Sequence, residues 1–364
     1  MSQPFTPLVA GLPATIPFVG PEAIQRRSKQ TFKARIGANE SAFGISPAAA
    51  AAMQAEIARV SWYADPEGFE LRTAIADRFK VELDEVCLGA GVDELLGLLV
   101  RTVVEPGVHV VTSLGAYPTF NYHVDGFGGT LHKVPYRDDH IDLQAVAEAA
   151  HEHHAALVYL ANPDNPMGTW HDANAIRSFM AALPENCLLV YDEAYIEFAP
   201  DSVQMNVDTR DARVVRMRTF SKAHGMAGAR VGYAIAAKPV IQALNKVRNH
   251  FGMNRIAVAG ALASFNDQAF VADVVARVAE GREEYKALAE RLGLSALKSA
   301  TNFVAIDVGD GDRARAILTV LEARGVFIRM PGVAPLDRCI RVSVGLPEER
   351  AIFAEQFGQV LQSR

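Results

Sequence analysis

The chain has 364 residues, of which 50% are hydrophobic, 21% charged and 8% aromatic. This globular composition excludes a disordered or fibrous protein, and at roughly 150 residues per domain it predicts two domains. Asp and Glu outnumber Lys and Arg by 42 to 36, a formal charge of -6, without the basic excess of a nucleic-acid binder.

Met1–Gly20 alternates proline with apolar residues and has neither a basic leader nor an unbroken apolar run, so no signal peptide is expected. No apolar stretch approaches the ~20 residues that span a bilayer. Cys87, Cys187 and Cys339 fit no disulfide framework or metal spacing, which favours a reducing compartment. The expectation is a soluble cytoplasmic protein.

Ser46 as N-cap and Pro47 in the first turn predict a helix to about Arg59. Beyond it, strand patterns at Val86–Leu88, Val108–Thr112, Ala156–Leu160, Leu188–Tyr191, Val214–Met217 and Val231–Ile235 alternate with helical ones. The helical patterns lie near Val92–Val104, Leu143–His154, Ala173–Ala182 and Pro239–Val247. That alternation predicts an α/β domain with a mainly parallel sheet. The texture changes at about Ala257. A long helical stretch to about Leu292 precedes Asn302–Val308, a helix at Asp312–Arg324, strands at Val326–Met330 and Cys339–Val344, and a last helix after Pro347. The expected organisation is an N-terminal arm (1–38), a large domain (39–256) and a smaller α+β domain (257–364). His151-Glu152-His153-His154 lacks the His-Glu-x-x-His spacing of a metal helix and is expected to be a solvated helix end.

Ligands of a parallel sheet bind beyond the carboxyl ends of its strands. Polar clusters fall there five times: Gly89–Glu94, Tyr117, Asn162–Gly168, Asp192–Tyr195 and Thr219–Lys222. Neither Gly89–Gly91 nor Gly225–Gly232 makes a dinucleotide fingerprint. The first lacks the third glycine and the second follows a lysine turn.

Ser221-Lys222 followed by Gly225–Tyr233 resembles the cofactor-lysine segment of fold-type I pyridoxal-phosphate (PLP) aminotransferases. Asn165-Pro166-Met167-Gly168 resembles their Asn-Pro-Thr-Gly turn, and Asp192-Glu193-Ala194-Tyr195 their Asp-x-Ala-Tyr. Tyr63–Pro66, Gly91–Glu94 and Arg341–Gly345 most resemble the histidinol-phosphate aminotransferase branch. The resemblance implies a PLP-dependent aminotransferase with a mainly parallel seven-stranded sheet in its large domain. Its donor would be histidinol phosphate or an aromatic amino acid, its acceptor a 2-oxo acid such as 2-oxoglutarate, and its active unit a homodimer.

Lys222 would then hold PLP as a Schiff base and, once freed, move the proton between substrate and cofactor. Asp192 would face the pyridine nitrogen and keep it cationic, the electron sink of the chemistry. Asn165 and Tyr195 would hydrogen-bond the ring's phenolic oxygen, and Tyr117 would stack on its face. Arg230 and Ser221, the amides of Val92 and Asp93 at a helix start, and Thr219 would hold the phosphate. Tyr63 would reach the phosphate of the neighbouring subunit's cofactor. Arg341 would bind the substrate carboxylate bidentately, with Asn39 contacting the same group. Each has a plainer alternative: a surface lysine, a turn aspartate or asparagine, core or loop tyrosines, a tight strand–helix turn without ligand, a strand-edge arginine.

The sequence departs from the branch where Asn-Glu-Asn-Pro-Tyr-Gly is replaced by Asn39-Glu40-Ser41-Ala42-Phe43-Gly44, and where Phe18 stands for a tyrosine near the substrate phosphate. A PLP-dependent decarboxylase or lyase of the threonine-phosphate decarboxylase type would share every cofactor residue and is the competing expectation.

Overall fold

A computed structural model describes residues 4–13, 19–29 and 31–362. Phe18 lies outside them. The strands among the described residues are β1 (Ala34–Arg35), β2 (Val86–Gly89), β3 (His109–Ser113), β4 (Thr130–Val134), β5 (Leu157–Ala161), β6 (Leu188–Asp192), β7 (Val214–Thr219), β8 (Gly232–Ile235), β9 (Ser295–Ala296), β10 (Phe303–Asp307), β11 (Val326–Phe327) and β12 (Cys339–Ser343).

Seven strands form one sheet in the order β2-β8-β7-β6-β5-β3-β4. Only β8 runs against its neighbours, β2 and β7; the other pairs are parallel. Central strands of such a sheet are buried on both faces and therefore read as continuous apolar runs, as Leu157–Ala161 does, with every residue buried. Alternation along the strand divides the two faces. Leu157, Tyr159 and Ala161 pack with the helices Val92–Val103, Pro118–Gly126 and Lys238–Val247. Val158 and Leu160 pack with Leu143–Glu152 and Ala173–Ala182.

Two elements of this sheet region go beyond the sequence reading, the edge strand β4 and the helix Pro118–Gly126. The expected helical stretch from Ala257 to Leu292 is two helices, Arg255–Asn266 and Gln268–Arg291. Asp267 interrupts it with ψ 70° and turns its carboxylate onto the Phe270 amide as the second helix's cap. Ala257, Ala261 and Phe265 of the first helix pack in one cluster with Val86, Tyr233 and Ile235 of the large sheet. The helix Arg255–Asn266, on the far side of the boundary expected at 256/257, thus packs on the large sheet.

The smaller unit holds the antiparallel sheet β12-β10-β9 against Gln268–Arg291, Gly311–Ala323 and Pro347–Gln362. The N-terminal segment joins it: β1 pairs in parallel with β11, and the Ser343 amide donates to Ile36 O at 2.8 Å. His153, at the end of Leu143–Glu152, stacks on His132 of β4 with ring centroids 3.5 Å apart and planes 9° apart. Among the described residues no cluster of His, Cys, Asp or Glu is arranged to hold a metal. Nor, among those residues, is any helix long and apolar enough to cross a membrane.

Candidate active site

A cavity of about 700 Å³ opens beyond the carboxyl ends of the parallel strands. Residues 37–40 cover it on one side, and 329–333 with Arg341 on another. It collects Asn39, Val92, Asp93, Tyr117, Asn165, Asp192, Tyr195, Thr219, Ser221, Lys222, Arg230 and Arg341, twelve of the thirteen residues singled out from the sequence. Tyr63 is the exception. It is 76% exposed, outside the cavity, and its ring packs on Phe251 with centroids 4.6 Å apart.

At the cavity floor Asp192 ends β6 and is 4% exposed. Its Oδ1 accepts the Ala194 amide at 2.9 Å and its Oδ2 the Tyr159 hydroxyl at 2.7 Å. Burial pushes the carboxyl up to about 6, against the pull of the Tyr159 and Ala194 donors and of Lys222. Beside it Glu193 points away from the cavity. Burial raises its pKa, but Arg218 and Arg216, which fork its two oxygens at 2.6–3.4 Å, more than offset this and leave it below the usual carboxylate value. That buried cluster fastens the end of β6 to β7, the strand that runs into Lys222.

Lys222 Nζ donates to Asn39 O at 3.0 Å and lies 5.4 Å from the centroid of the Tyr195 ring. Asn39 has a left-handed backbone, φ 54°, and both ends of its side chain are engaged. Nδ2 donates to the Tyr195 hydroxyl at 3.0 Å, and Oδ1 accepts from Ser343 Oγ at 3.2 Å. Its side chain therefore orients Tyr195 at the cavity wall. Because the Tyr195 oxygen accepts from Asn39, its own proton is left to donate elsewhere.

The opposite end is a cationic cup. Arg230 Nη1 donates to Ser221 Oγ at 3.3 Å and Nη2 to Asp93 Oδ2 at 3.2 Å. Thr219 Oγ1 donates to Ser221 Oγ at 2.9 Å, and Tyr117 OH to Asp93 Oδ1 at 2.9 Å. The helix Val92–Val103 begins here without a side-chain cap, so its first amides and dipole face the cup. A Cβ at Gly232 would meet the Val92 nitrogen at 2.9 Å; glycine there lets the helix start approach the strand.

Arg341 forms the far wall. Its Nη1 donates to Asn165 Oδ1 at 2.6 Å, while its Nε is buried without a partner. Burial lowers its pKa, with Arg329 adding to the effect. Arg329 was not among the residues expected from the sequence. It lines the same cavity, is joined to Arg341 by backbone hydrogen bonds in both directions, and donates from Nη2 to Val19 O at 2.6 Å. Burial lowers its pKa too. Neither arginine makes an ion pair with a carboxylate among the described residues. A sequence signal existed: Arg329 lies within the segment read as a strand, Val326–Met330, but one arginine in a strand pattern points to no ligand.

Comparison with known proteins agrees with this geometry. Residues 33–356 match the family model "Aminotransferase class I and II", and the chain belongs to that family of PLP-dependent fold-type I enzymes. Within it, the chain is similar to histidinol-phosphate aminotransferases. It is 34% identical to histidinol-phosphate aminotransferase 2 of Carboxydothermus hydrogenoformans over 94% of each chain. It is 36% identical to histidinol-phosphate aminotransferase 2 of Pseudomonas aeruginosa, over 90% of this chain and 89% of the relative. The crystal structure of histidinol-phosphate aminotransferase from Sinorhizobium meliloti in complex with PLP superposes with a TM-score of 0.96 at 47% identity, over 100% of this chain and 99% of that one. The residues present fit the cofactor: an amine at Lys222, a buried carboxylate beneath, a cationic fork beside a helix start, and an unpartnered buried Nε at the far wall.

Proposed function

We propose that the protein transfers an amino group from histidinol phosphate to a 2-oxo acid such as 2-oxoglutarate, the two substrates taking the cavity in turn. The observation that carries the reading is the pair Arg329 and Arg341, both part-buried on one cavity wall with no carboxylate in an ion pair with either among the described residues. Part-buried cations without an ion-pair partner attract anionic ligands, and a phosphorylated donor engages two where a single carboxylate engages one.

PLP, when bound, supplies a cationic ring that takes up the electron pair of the broken Cα–H bond. Lys222 then holds and returns that proton, its amine poised by the Asn39 carbonyl. Asp192 balances the ring's positive charge, and Tyr195 and Asn165 donate to its phenolic oxygen. Arg230, Ser221 and the amides of Val92 and Asp93 bind the phosphate, with Thr219 supporting Ser221. The Tyr117 ring covers the cofactor face.

The active unit we infer is a homodimer. Ile57, Val60, Trp62, Tyr63, Phe69 and Phe251 are all exposed, an apolar patch unsuited to water, and a second copy of the chain covering it would carry Tyr63 into the neighbouring cavity. The test is a donor panel with 2-oxoglutarate, comparing histidinol phosphate, phenylalanine and tyrosine by glutamate formed. Histidinol phosphate should give the highest kcat/KM. A higher value for either aromatic amino acid, or carbon dioxide released without glutamate, overturns the reading.

A further inference from the structure

Tyr159 looks from the sequence like one more apolar strand position, yet it is the only side chain besides the backbone of Ala194 that hydrogen-bonds Asp192 among the described residues. It lies on β5, where Ala161 pairs with Asp192 of β6. Side chains two apart on a strand share a face, so Tyr159 lies on the face of Ala161 and its partner Asp192, and its hydroxyl donates to the carboxylate at 2.7 Å. Phe120 stacks on its ring at 4.8 Å and 20°, which fixes its direction. The phenol is 1% exposed and borders the cavity.

We propose that Tyr159 is a positioning residue for Asp192, holding one carboxylate oxygen in place and keeping the group ionised so that its free lone pairs meet the ring nitrogen of the cofactor. A buried phenol beside a carboxylate does not ionise; burial and Asp192 together push its pKa well up. It is therefore a donor at every working pH. A carboxylate with two fixed donors loses its proton more readily than one with a single donor. The other charged or titratable groups acting on Asp192 are Asp93, which opposes ionisation, and Lys222, which favours it. Tyr117, Asp93 and Asp164 surround the pair. Without the Tyr159 hydroxyl, burial dominates, and Asp192 takes up its proton at a higher pH. A neutral carboxyl cannot balance a cationic nitrogen.

The experiment uses the full chain stripped of cofactor, with Tyr159→Phe, which keeps the ring and the Phe120 stack. Two probes are titrated across pH: PLP, and its carbocyclic analogue with CH in place of the ring nitrogen. In the wild type, PLP affinity should fall on acidification as Asp192 is protonated. In Tyr159→Phe that fall should begin at higher pH and leave PLP bound roughly tenfold more weakly near neutrality, while the carbocyclic analogue binds both proteins alike. An unshifted profile, or an equal loss for both probes, overturns the proposal; the second result would make Tyr159 merely structural. Glu193→Gln, which loosens the same turn from the side away from the cavity, should weaken both probes together and calibrates that structural outcome. The inference needs the cofactor but not the donor, so failure of the donor panel leaves it standing.

Discussion

Arg329 and Arg341 are joined through their backbones but differ in what holds their side chains. Arg341 is fixed by Asn165, a turn residue that also lines the cavity, whereas Arg329 is held by the Val19 carbonyl, so the N-terminal segment directs it. If the two divide an anionic donor between them, Arg329→Ala should raise KM for histidinol phosphate by about tenfold or more, the scale of one charged hydrogen bond. It should leave KM for a donor without phosphate nearly unchanged. Arg341→Ala should raise KM for every substrate, 2-oxoglutarate included. Steady-state kinetics on the donor panel separate the two roles. His224 gives a second residue-scale expectation. Burial, with Arg78 nearby, depresses its pKa to about 4, and it meets Ser264 Oγ at 2.8 Å. The folded protein keeps it neutral while the unfolded chain protonates near pH 6.5. Its contribution is intact above that pH and is lost as pH falls from about 6.5 toward 4, at up to ~1.4 kcal/mol per pH unit. Asp164, Asp192 and Glu197, pushed up by burial to about 7, 6 and 7, act in the opposite sense, because the folded state holds their protons longer. The comparison that isolates the imidazole is therefore His224→Gln against wild type. Melting temperatures at pH 7 and pH 5 should show the variant losing less on acidification, and equal losses would remove His224 as the cause.

At the scale of elements, two helix caps meet. Ser46 Oγ accepts the Ala48 and Ala49 amides at 3.1 and 3.3 Å, capping Pro47–Glu56, and donates to Asp267 Oδ2 at 2.5 Å. Asp267 in turn caps Gln268–Arg291. Ser46→Ala removes one cap and frees the other's carboxylate; it should lower stability by about 1–2 kcal/mol, read as a shift in the urea midpoint without loss of helix content. The Ser46 cap was legible in the sequence because Ser-Pro before an alanine run admits one reading. Asp267 was not, since Asn266-Asp267 lies inside a continuous helical pattern and only packing of Phe265 on the large sheet shows that the chain must turn there. The buried parallel strands were legible for the same reason they are stable: both faces are covered. β4 was not, because an edge strand carrying His132 and Lys133 has no apolar period. The site residues at strand ends were legible as polar clusters after apolar runs. Tyr159 and Arg329 were not: one resembles core, the other a strand-edge charge, and only distances to Asp192 and Arg341 show otherwise.

At the scale of the whole molecule, the cavity is bounded by both units, so their mutual placement sets its shape. Arg338 of the smaller unit holds Asp139 of the larger through both carboxylate oxygens, at 2.7 and 2.8 Å, and Asp307 of its own unit at 2.7 Å. Three residues further on stands Arg341, so the latch fixes the strand that presents it. Within this frame Tyr63 makes no contact with the cavity of its own chain; its expected service is to the neighbouring subunit's site. In a symmetric dimer each site would take its lysine from one chain and its loop tyrosine from the other. Lys222→Ala should be inactive, and Tyr63→Ala should be impaired if the tyrosine reaches the cofactor phosphate. Co-expressed in equal amount, the two variants form mixed dimers in which one site has both residues intact and the other has neither. Random pairing makes about half the dimers mixed, so activity should return to about a quarter of wild type. A tyrosine serving its own chain's site restores nothing above the residual Tyr63→Ala rate, because every intact lysine would then sit beside a missing tyrosine. Purifying the mixed dimer through two different tags and assaying it beside each parent decides between the two arrangements.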